Sequence, residues 1–370
     1  MGKLDPLIQV SRYYGSNADY VIAGGGNTSL KTKDELYIKA SGISLATIDA
    51  GGFVKMSREK LAIIGEKDYP VDSVEREEAV KNDLKEAIIS PPDLRPSVET
   101  SLHNLIGYNY VVHTHPTLVN AVMCSRDAGK VIQDRFGSGA LFVEYTDPGY
   151  LLFKELQLRI RNYEDIHASP PKIIFLQNHG IFVGADTVEE IRDTYERVMS
   201  VIGRDSGPGL PGPGMQDFST VTSGIVEDYC RINHRVFRAV AGPLTDYFTS
   251  SHERYELISV PFTPDIIVYC KSKFLFLEKN LDREQTIQKI NAFTERNGYF
   301  PRVIVEEGGP LMVTEENERS LATVLEVFMN MVKIAFMSGS FGGPHPMSDD
   351  QVAFIDHWEV ENYRRKIARS

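Results

Sequence analysis

The sequence predicts an α/β protein in two domains, and three observations predict it. The chain has 370 residues, more than one domain of about 100 to 200 residues usually takes. Short apolar runs of strand length alternate with stretches of helical periodicity along most of the chain. Between them, Gly203 to Gly214 (GRDSGPGLPGPG) has Gly or Pro at eight of twelve positions, where neither helix nor strand persists. The expected division is a first domain over 1–202, a linker over 203–214 and a second α/β domain over 215–370.

In order, a helix is expected over about 5–16. The strands VIAGG and ELYIKAS follow, joined by NTSLKTKD, whose Lys33-Asp34 suits a tight turn. A helix over about 73–89 is stopped by Ser90-Pro91-Pro92, and another begins at Ser97 after Pro96 and runs to Gly107. YNYVVHTHP reads as strand, Leu118 to Ser125 as helix, ALFVEY as strand and Tyr150 to Arg161 as helix. KIIFLQNHGIFVG reads as one or two strands and Thr187 to Ile202 as helix. Past the linker, a helix over about 222–248 leads to strands at DIIVYCK and FLFLE and a helix near 283–297. RVIVEEG, PLMVTE and a long helix to about 337 complete the second domain.

Composition narrows the function. With 40 Lys+Arg against 51 Asp+Glu, a formal charge of -11 and a pI near 5.4, the chain lacks the basic surface that sequence-independent nucleic-acid binding or an anionic bilayer requires. Small-molecule chemistry is the expectation, with neither nucleic acid nor membrane as partner. Cys124, Cys230 and Cys270 are too few and too scattered for a disulfide framework or a CxxC metal site, which points to a reducing compartment. The opening MGKLDPLIQV has no apolar signal core, and Pro6 stands where a myristoylation signal needs Ser or Thr. No uninterrupted apolar run reaches about 18 residues, so the expected location is the cytoplasm.

Candidate chemistry begins at His113-Thr114-His115-Pro116. Two imidazoles two residues apart on a strand project from one face and can converge on one ion, although two solvent-facing or turn-end histidines would give the same spacing. His179 in Asn178-His179-Gly180 supplies a third partner at the end of a buried strand, where an unpaired ring would be costly. Three His with an open position is the pattern of a catalytic Zn²⁺ site. The other six histidines (103, 167, 234, 252, 345 and 357) are read as surface or capping residues. Glu99 follows the expected N-cap Ser97 and shares a helix face with His103. The helix dipole alone favours an acid there. Beside a metal it would instead serve as general base and acid.

Ala23-Gly24-Gly25-Gly26-Asn27-Thr28-Ser29 joins strand to strand without the G-x-G-x-x-G spacing, and no P-loop motif is present, so nucleotide fingerprints fail. Its amides and Asn27 suit a single phosphate, as does the small loop Ala40-Ser41-Gly42. Tight turns explain the same glycines. No G-x-S-x-G or Cys-His motif supports nucleophilic catalysis.

Taken in order, GGGNTS, ASG, PSVE, HTHP and NHG resemble the class II aldolase/adducin family over roughly residues 5–202. That family contains the zinc-dependent fuculose- and rhamnulose-phosphate aldolases and the ribulose-phosphate 4-epimerases. The resemblance implies a three-layer α/β/α sandwich around a largely antiparallel sheet, assembled as a four-fold homotetramer with active sites between subunits. It implies His113, His115 and His179 as zinc ligands and Glu99 as catalytic acid/base. Gly26, Asn27, Ser41, Gly42 and Ser97 would hold the phosphate of a small sugar phosphate, and Tyr145 falls near a tyrosine that aldolases use as proton donor across the subunit interface. Phe262-Thr263-Pro264-Asp265, Phe341-Gly342-Gly343 and the tail from His357 to Arg364 look like the region after the aldolase part of bifunctional rhamnulose-phosphate aldolase/lactaldehyde dehydrogenases, which continue into a dehydrogenase. Here the chain ends at Ser370 and no NAD chemistry is expected. Two departures stand out: the Glu99 to His113 stretch is short for a single-domain aldolase, and the long relatives tend to carry Asp where this chain has Glu99. The implied activity is cleavage of a ketose 1-phosphate to dihydroxyacetone phosphate and an aldehyde, with a 4-epimerase or a non-catalytic adducin-like module as the rivals.

Overall fold

The computed structural model describes residues 2–357 apart from 205, 206, 208 and 213, so four of the twelve residues of the Gly/Pro-rich stretch, and the tail motif from Trp358 onward, lie outside the described residues. Two compact units emerge: Met1–Met123 with Asp127–Asp205, and Cys124–Arg126 with Ser206–Ser370. The expected boundary thus acquires one exception. Cys124–Arg126 belongs to the second unit, where the Arg126 amide donates to the Gly343 carbonyl and Ser125 bridges Pro344.

The first unit carries eight strands: β1 Asn27–Lys31, β2 Glu35–Lys39, β3 Phe53–Ser57, β4 Ile88–Ser90, β5 Tyr110–Thr114, β6 Leu141–Val143, β7 Ile173–Leu176 and β8 Gly180–Ala185. Their order in the sheet is β4-β3-β2-β1-β5-β8-β7-β6, and every pair is antiparallel except β6 with β7. Its helices are α1 Asp5–Gly15, α2 Arg58–Glu66, α3 Ser73–Glu86, α4 Thr100–Leu105, α5 Thr117–Met123, α6 Ala128–Phe136, α7 Tyr150–His167 and α8 Val188–Gly203.

Strand parity decides which helices cover which face. Val111, Ile174, Leu176 and Phe182 pack with Leu102 of α4, with Ile106 just after it, and with Leu152, Leu156 and Ile160 of α7, while Leu36, Ile38, Val54 and Met56 pack with α2 and α3. On the opposite face, Thr28 meets Ser11 of α1, Thr114 meets Tyr195 of α8, and Phe175 meets Phe136 of α6. The result is a three-layer α/β/α sandwich. Each fully buried Leu, Ile or Phe in it contributes about 1.5 to 3 kcal/mol by leaving water.

Several local expectations need correction. NTSLK is not a link but strand β1, and the turn falls at 32–34, closed by the Thr32 amide on the Glu35 carbonyl at 2.8 Å. VIAGG is not a strand, because Ala23 (φ 52°) and Gly26 (φ 68°) take left-handed backbone. Periodicity missed β1 because all five of its residues are buried, the polar ones included. The helix expected over 73–89 gives way to β4 at the sheet edge, and α4 begins at Thr100 rather than after a Ser97 cap. Helices α2 and α6 were not anticipated.

In the second unit the helix expected over 222–248 is three elements: α9 Val221–Ile232, β10 Val236–Ala241 and α10 Pro243–Thr249. Gly242-Pro243 stops the strand and starts the next helix. DIIVYCK is helix, not strand: Pro264 sits in the first turn and six of the seven residues Pro264–Cys270 are buried. An apolar run buried all round carries no period to tell the two apart. The remaining elements are β9 Gln216–Asp217, α11 His252–Glu256, α12 Pro264–Cys270, β11 Leu275–Leu277, α13 Arg283–Asn297, β12 Val303–Glu306, β13 Leu311–Glu315, α14 Glu318–Ser338 and α15 Asp349–His357, with sheet order β11-β12-β13-β10-β9. The stretch Glu318–Phe341 that holds α14 is, at a mean hydropathy of 1.5, long and apolar enough to cross a membrane, which amends the expectation that no such helix exists. Its buried residues, among them Leu321, Val324, Phe328, Met331 and Val332, make it the core helix of the second unit.

Candidate metal centre and its acid/base neighbour

β5 carries His113 into the middle of the sheet, opposite Asn27 of β1 on one side and Phe182 of β8 on the other. The Phe182 ring stacks on the His113 ring at 4.0 Å, and the imidazole is fully buried. His113 Nδ1 lies 2.9 Å from the Ile181 carbonyl. A carbonyl can only accept, so Nδ1 carries the hydrogen and Nε2 is left with its lone pair, the arrangement that metal-ligating histidines adopt. His115, one residue past β5 and of the same parity, brings its Nε2 to 2.9 Å from that of His113.

His179 completes the set from the turn between β7 and β8. Asn178 takes left-handed backbone (φ 54°) and its amide donates to the Met123 carbonyl at 3.1 Å. Asn tolerates that conformation better than most residues. Gly180 is required by space: a Cβ there would lie 2.6 Å from both the His115 ring and the Thr114 carbonyl oxygen. In Asn-His-Gly, then, the first residue makes the turn, the second offers the ring and the third lets β5 approach. One ring nitrogen from each histidine lies within 4.8 Å of the other two, a cluster that could hold a metal ion.

Glu99 sits over this cluster at the start of α4. Its Oε1 is 3.3 Å from the Nε2 atoms of both His113 and His179. Oε1 is buried, and no hydrogen bond reaches it among the described residues. A buried acceptor left in that state costs about 1 to 3 kcal/mol. One ring nitrogen from each of three histidines, with a carboxylate oxygen 3.3 Å from two of them, is a donor set that fits a divalent cation of the kind imidazoles bind, Zn²⁺ among them. The second oxygen, Oε2, accepts from Asn27 Nδ2 at 2.5 Å.

The residues expected to hold a phosphate are partly gathered. Asn27 Nδ2 also donates to Ser97 Oγ at 3.1 Å, so the two amide hydrogens of Asn27 point at Glu99 and Ser97. Ser97 is brought alongside β2 by its amide on the Lys39 carbonyl, and Ala40 bridges Pro96, which sets Ser41-Gly42 beside the Pro96-Ser97 segment. The Ser41 amide is committed to the Arg95 carbonyl. Gly26 packs where a Cβ would lie 2.8 Å from the His113 carbonyl oxygen. Tyr145 stands apart. Its amide donates to Gln177 Oε1 at 3.2 Å, and burial followed by the neighbouring Asp147 raises its hydroxyl pKa. No hydrogen bond joins that hydroxyl to Glu99 or to the imidazoles among the described residues.

Two participants escaped the sequence reading. His103, taken as a surface or capping residue, is fully buried. Its ring meets Asn27 Oδ1 through Nε2 and Ser29 Oγ through Nδ1, the latter at 2.7 Å. Asn120 of α5 donates to the His179 carbonyl at 3.1 Å. The available signals for His103 were its four-residue spacing from Glu99 on one helix face and the two-residue spacing of Asn27, Ser29 and Lys31 on one strand.

Residues 6–202 match the Class II Aldolase and Adducin N-terminal domain. Over 208 residues the chain is 27% identical to the "Uncharacterized oxidoreductase YuxG" of Bacillus subtilis (strain 168), a match covering 54% of this chain and 28% of that protein. Among solved structures, the N-terminal class II aldolase domain of a conserved protein from Thermoplasma acidophilum is 27% identical with a TM-score of 0.47, covering 55% of this chain and 92% of that one. An L-fuculose-1-phosphate aldolase from Thermus thermophilus is 16% identical with a TM-score of 0.34, covering 54% of this chain and 91% of that one. With the domain match spanning more than half of its residues, the chain belongs to the class II aldolase and adducin family.

Proposed function

We propose that this chain is a zinc-dependent aldolase that cleaves a ketose 1-phosphate of the rhamnulose or fuculose type to dihydroxyacetone phosphate and an aldehyde. The observation that carries the reading is the convergence of His113, His115 and His179 with Glu99 Oε1 at 3.3 Å from two of their nitrogens. A non-catalytic module has no need of buried ligands and an acid held over them. The L-fuculose 1-phosphate aldolases among its structural relatives suggest the substrate class.

His113, His115 and His179 would hold Zn²⁺, which when bound supplies Lewis acidity toward the ketone and neighbouring hydroxyl oxygens. The chain's own residues do the rest. Glu99 Oε1 moves the proton at the carbon exposed when the C3–C4 bond breaks, and Oε2 stays anchored on Asn27. Gly26, Asn27, Ser41, Gly42 and Ser97 would receive the phosphate through amides and small hydroxyls. Tyr145 or another donor would supply the proton at the aldehyde oxygen, and the active assembly would be a homotetramer. The three cysteines are free and buried, in keeping with a cytoplasmic enzyme.

The test measures zinc per chain and release of dihydroxyacetone phosphate from rhamnulose, fuculose and related ketose 1-phosphates, with and without a chelator. About one zinc per chain and chelator-sensitive release are expected. A net epimer with no triose phosphate trapped would make the chain a 4-epimerase, and absence of zinc would leave only an adducin-like module.

A further inference from the structure

One face of β1 is turned on a single residue of α4. Asn27, Ser29 and Lys31 share that face, and each bonds to His103. Asn27 Oδ1 meets Nε2, Ser29 Oγ meets Nδ1 at 2.7 Å, and Lys31 Nζ donates to the His103 backbone carbonyl at 2.7 Å. All four residues are buried. The Lys31 bond would survive any residue at 103, but an apolar side chain there would leave Asn27 Oδ1 and Ser29 Oγ buried without the ring that meets them.

The chemistry of the groups gives the network one direction. The Asn27 carbonyl oxygen can only accept, so His103 Nε2 carries the hydrogen. Burial, then Lys31 and His113 nearby, push the His103 pKa well below the usual 6.5, so the ring is neutral and its Nδ1 is the bare nitrogen that accepts from Ser29. With Oδ1 committed to His103, the Asn27 amide must turn Nδ2 toward Glu99 Oε2 and Ser97 Oγ. Reversed, it would set an oxygen against the carboxylate and an N–H against the N–H of His103.

We propose that His103 is a positioning residue that fixes the amide of Asn27 and, through it, ties Glu99 Oε2 so that Oε1 alone faces the three imidazoles. The two oxygens of Glu99 thereby have separate roles, one anchored and one available. The proposal rests on the lyase reading only for its kinetic consequence, because the hydrogen-bond polarity stands without it.

Two variants of the zinc-loaded protein, His103→Leu and His103→Gln, separate positioning from mere support, because the Gln side-chain amide can still donate to Asn27 Oδ1. In the unaltered protein, long-range proton–nitrogen spectra should show His103 as the Nε2–H tautomer. In His103→Leu the Asn27 side-chain amide resonances should move, kcat should fall roughly 10- to 100-fold, and zinc content should hold. His103→Gln should return both the resonances and most of kcat. An Nδ1–H tautomer or an imidazolium at His103 overturns the proposal, as does a His103→Leu enzyme with unchanged kcat. Equal damage in both variants with loss of zinc would reduce His103 to structural support and overturn it too. If His103→Leu does not fold, the tautomer and the His103→Gln variant decide. If no ketose phosphate is turned over at all, the lyase reading fails alone, and the tautomer and the Asn27 amide shifts still settle the relay.

Discussion

Each unit buries a carboxylate, Glu99 at the start of α4 and Glu315 at the end of β13, and the two are treated in opposite ways. In the second unit Glu315, at the end of β13 and 1% exposed, has a cation of its own: Arg302 Nε lies 2.7 Å from Oε1, and the same guanidinium also donates to the Tyr269 carbonyl. In the first unit Glu99 has no Arg or Lys ion pair among the described residues. It faces the imidazoles with one oxygen and Asn27 with the other. A buried acid paired with an internal cation has nothing left to offer a ligand. One held by a neutral amide and turned on two imidazoles keeps an oxygen that a bound cation or substrate could use.

Substitutions at the two sites should break that comparison in different observables. The largest effect is expected at His113: His113→Ala should abolish stoichiometric zinc, read by metal analysis of the purified protein, and activity with it, because one of only three imidazole ligands is gone. Next, Glu99→Gln should keep the zinc and cut turnover by roughly 10² to 10⁴. Retention of unaltered turnover would remove Glu99 from the acid/base role. Arg302→Met reverses the pattern. Leaving buried Glu315 with only Arg235, whose Nη2 is 4.0 Å from Oε2, should cost up to about 3 to 5 kcal/mol of stability in urea unfolding, with zinc content untouched.

The smallest effect sharpens the comparison within the first unit. Burial holds the His103 pKa well below its usual 6.5. Above pH 6.5 the ring is neutral both folded and unfolded, and contributes no pH dependence. As pH falls through 6.5 the unfolded ring takes up a proton that the folded one refuses, so the unfolded state is favoured and stability drops. His103→Gln should flatten that acid limb of the stability profile, measured as the urea midpoint between about pH 7 and 5.

The legible parts of the sequence were those with local causes. His113 and His115 share parity on a strand, Asn178-His179-Gly180 carries its own turn and clearance, and the alternation of short strands with helices gave α/β in the first unit. The parts that misled were those whose environment is non-local. β1 was read as a link because Asn27, Ser29 and Lys31 look like surface residues until α4 covers them. Pro264–Cys270 was read as a strand because a segment buried all round shows no period. His103 was read as a surface or capping histidine because its partners lie more than seventy residues away in the chain.

By itself, then, the sequence determined the donor types and their spacing: two imidazoles on one strand, a third in a turn, an acid before a helix, glycines where strands must approach. Tertiary structure decided which way each group points. The antiparallel pairing of β1 with β5 sets Asn27 opposite His113, and α4 lays Glu99 and His103 across both. Hydrogen-bond polarity, which no linear spacing encodes, then assigns one oxygen of Glu99 to the amide and the other to the imidazoles. The reason is physical: period and turn propensity act over a few residues, whereas the desolvation that forces buried donors and acceptors to pair acts between whichever strands and helices the fold has brought together.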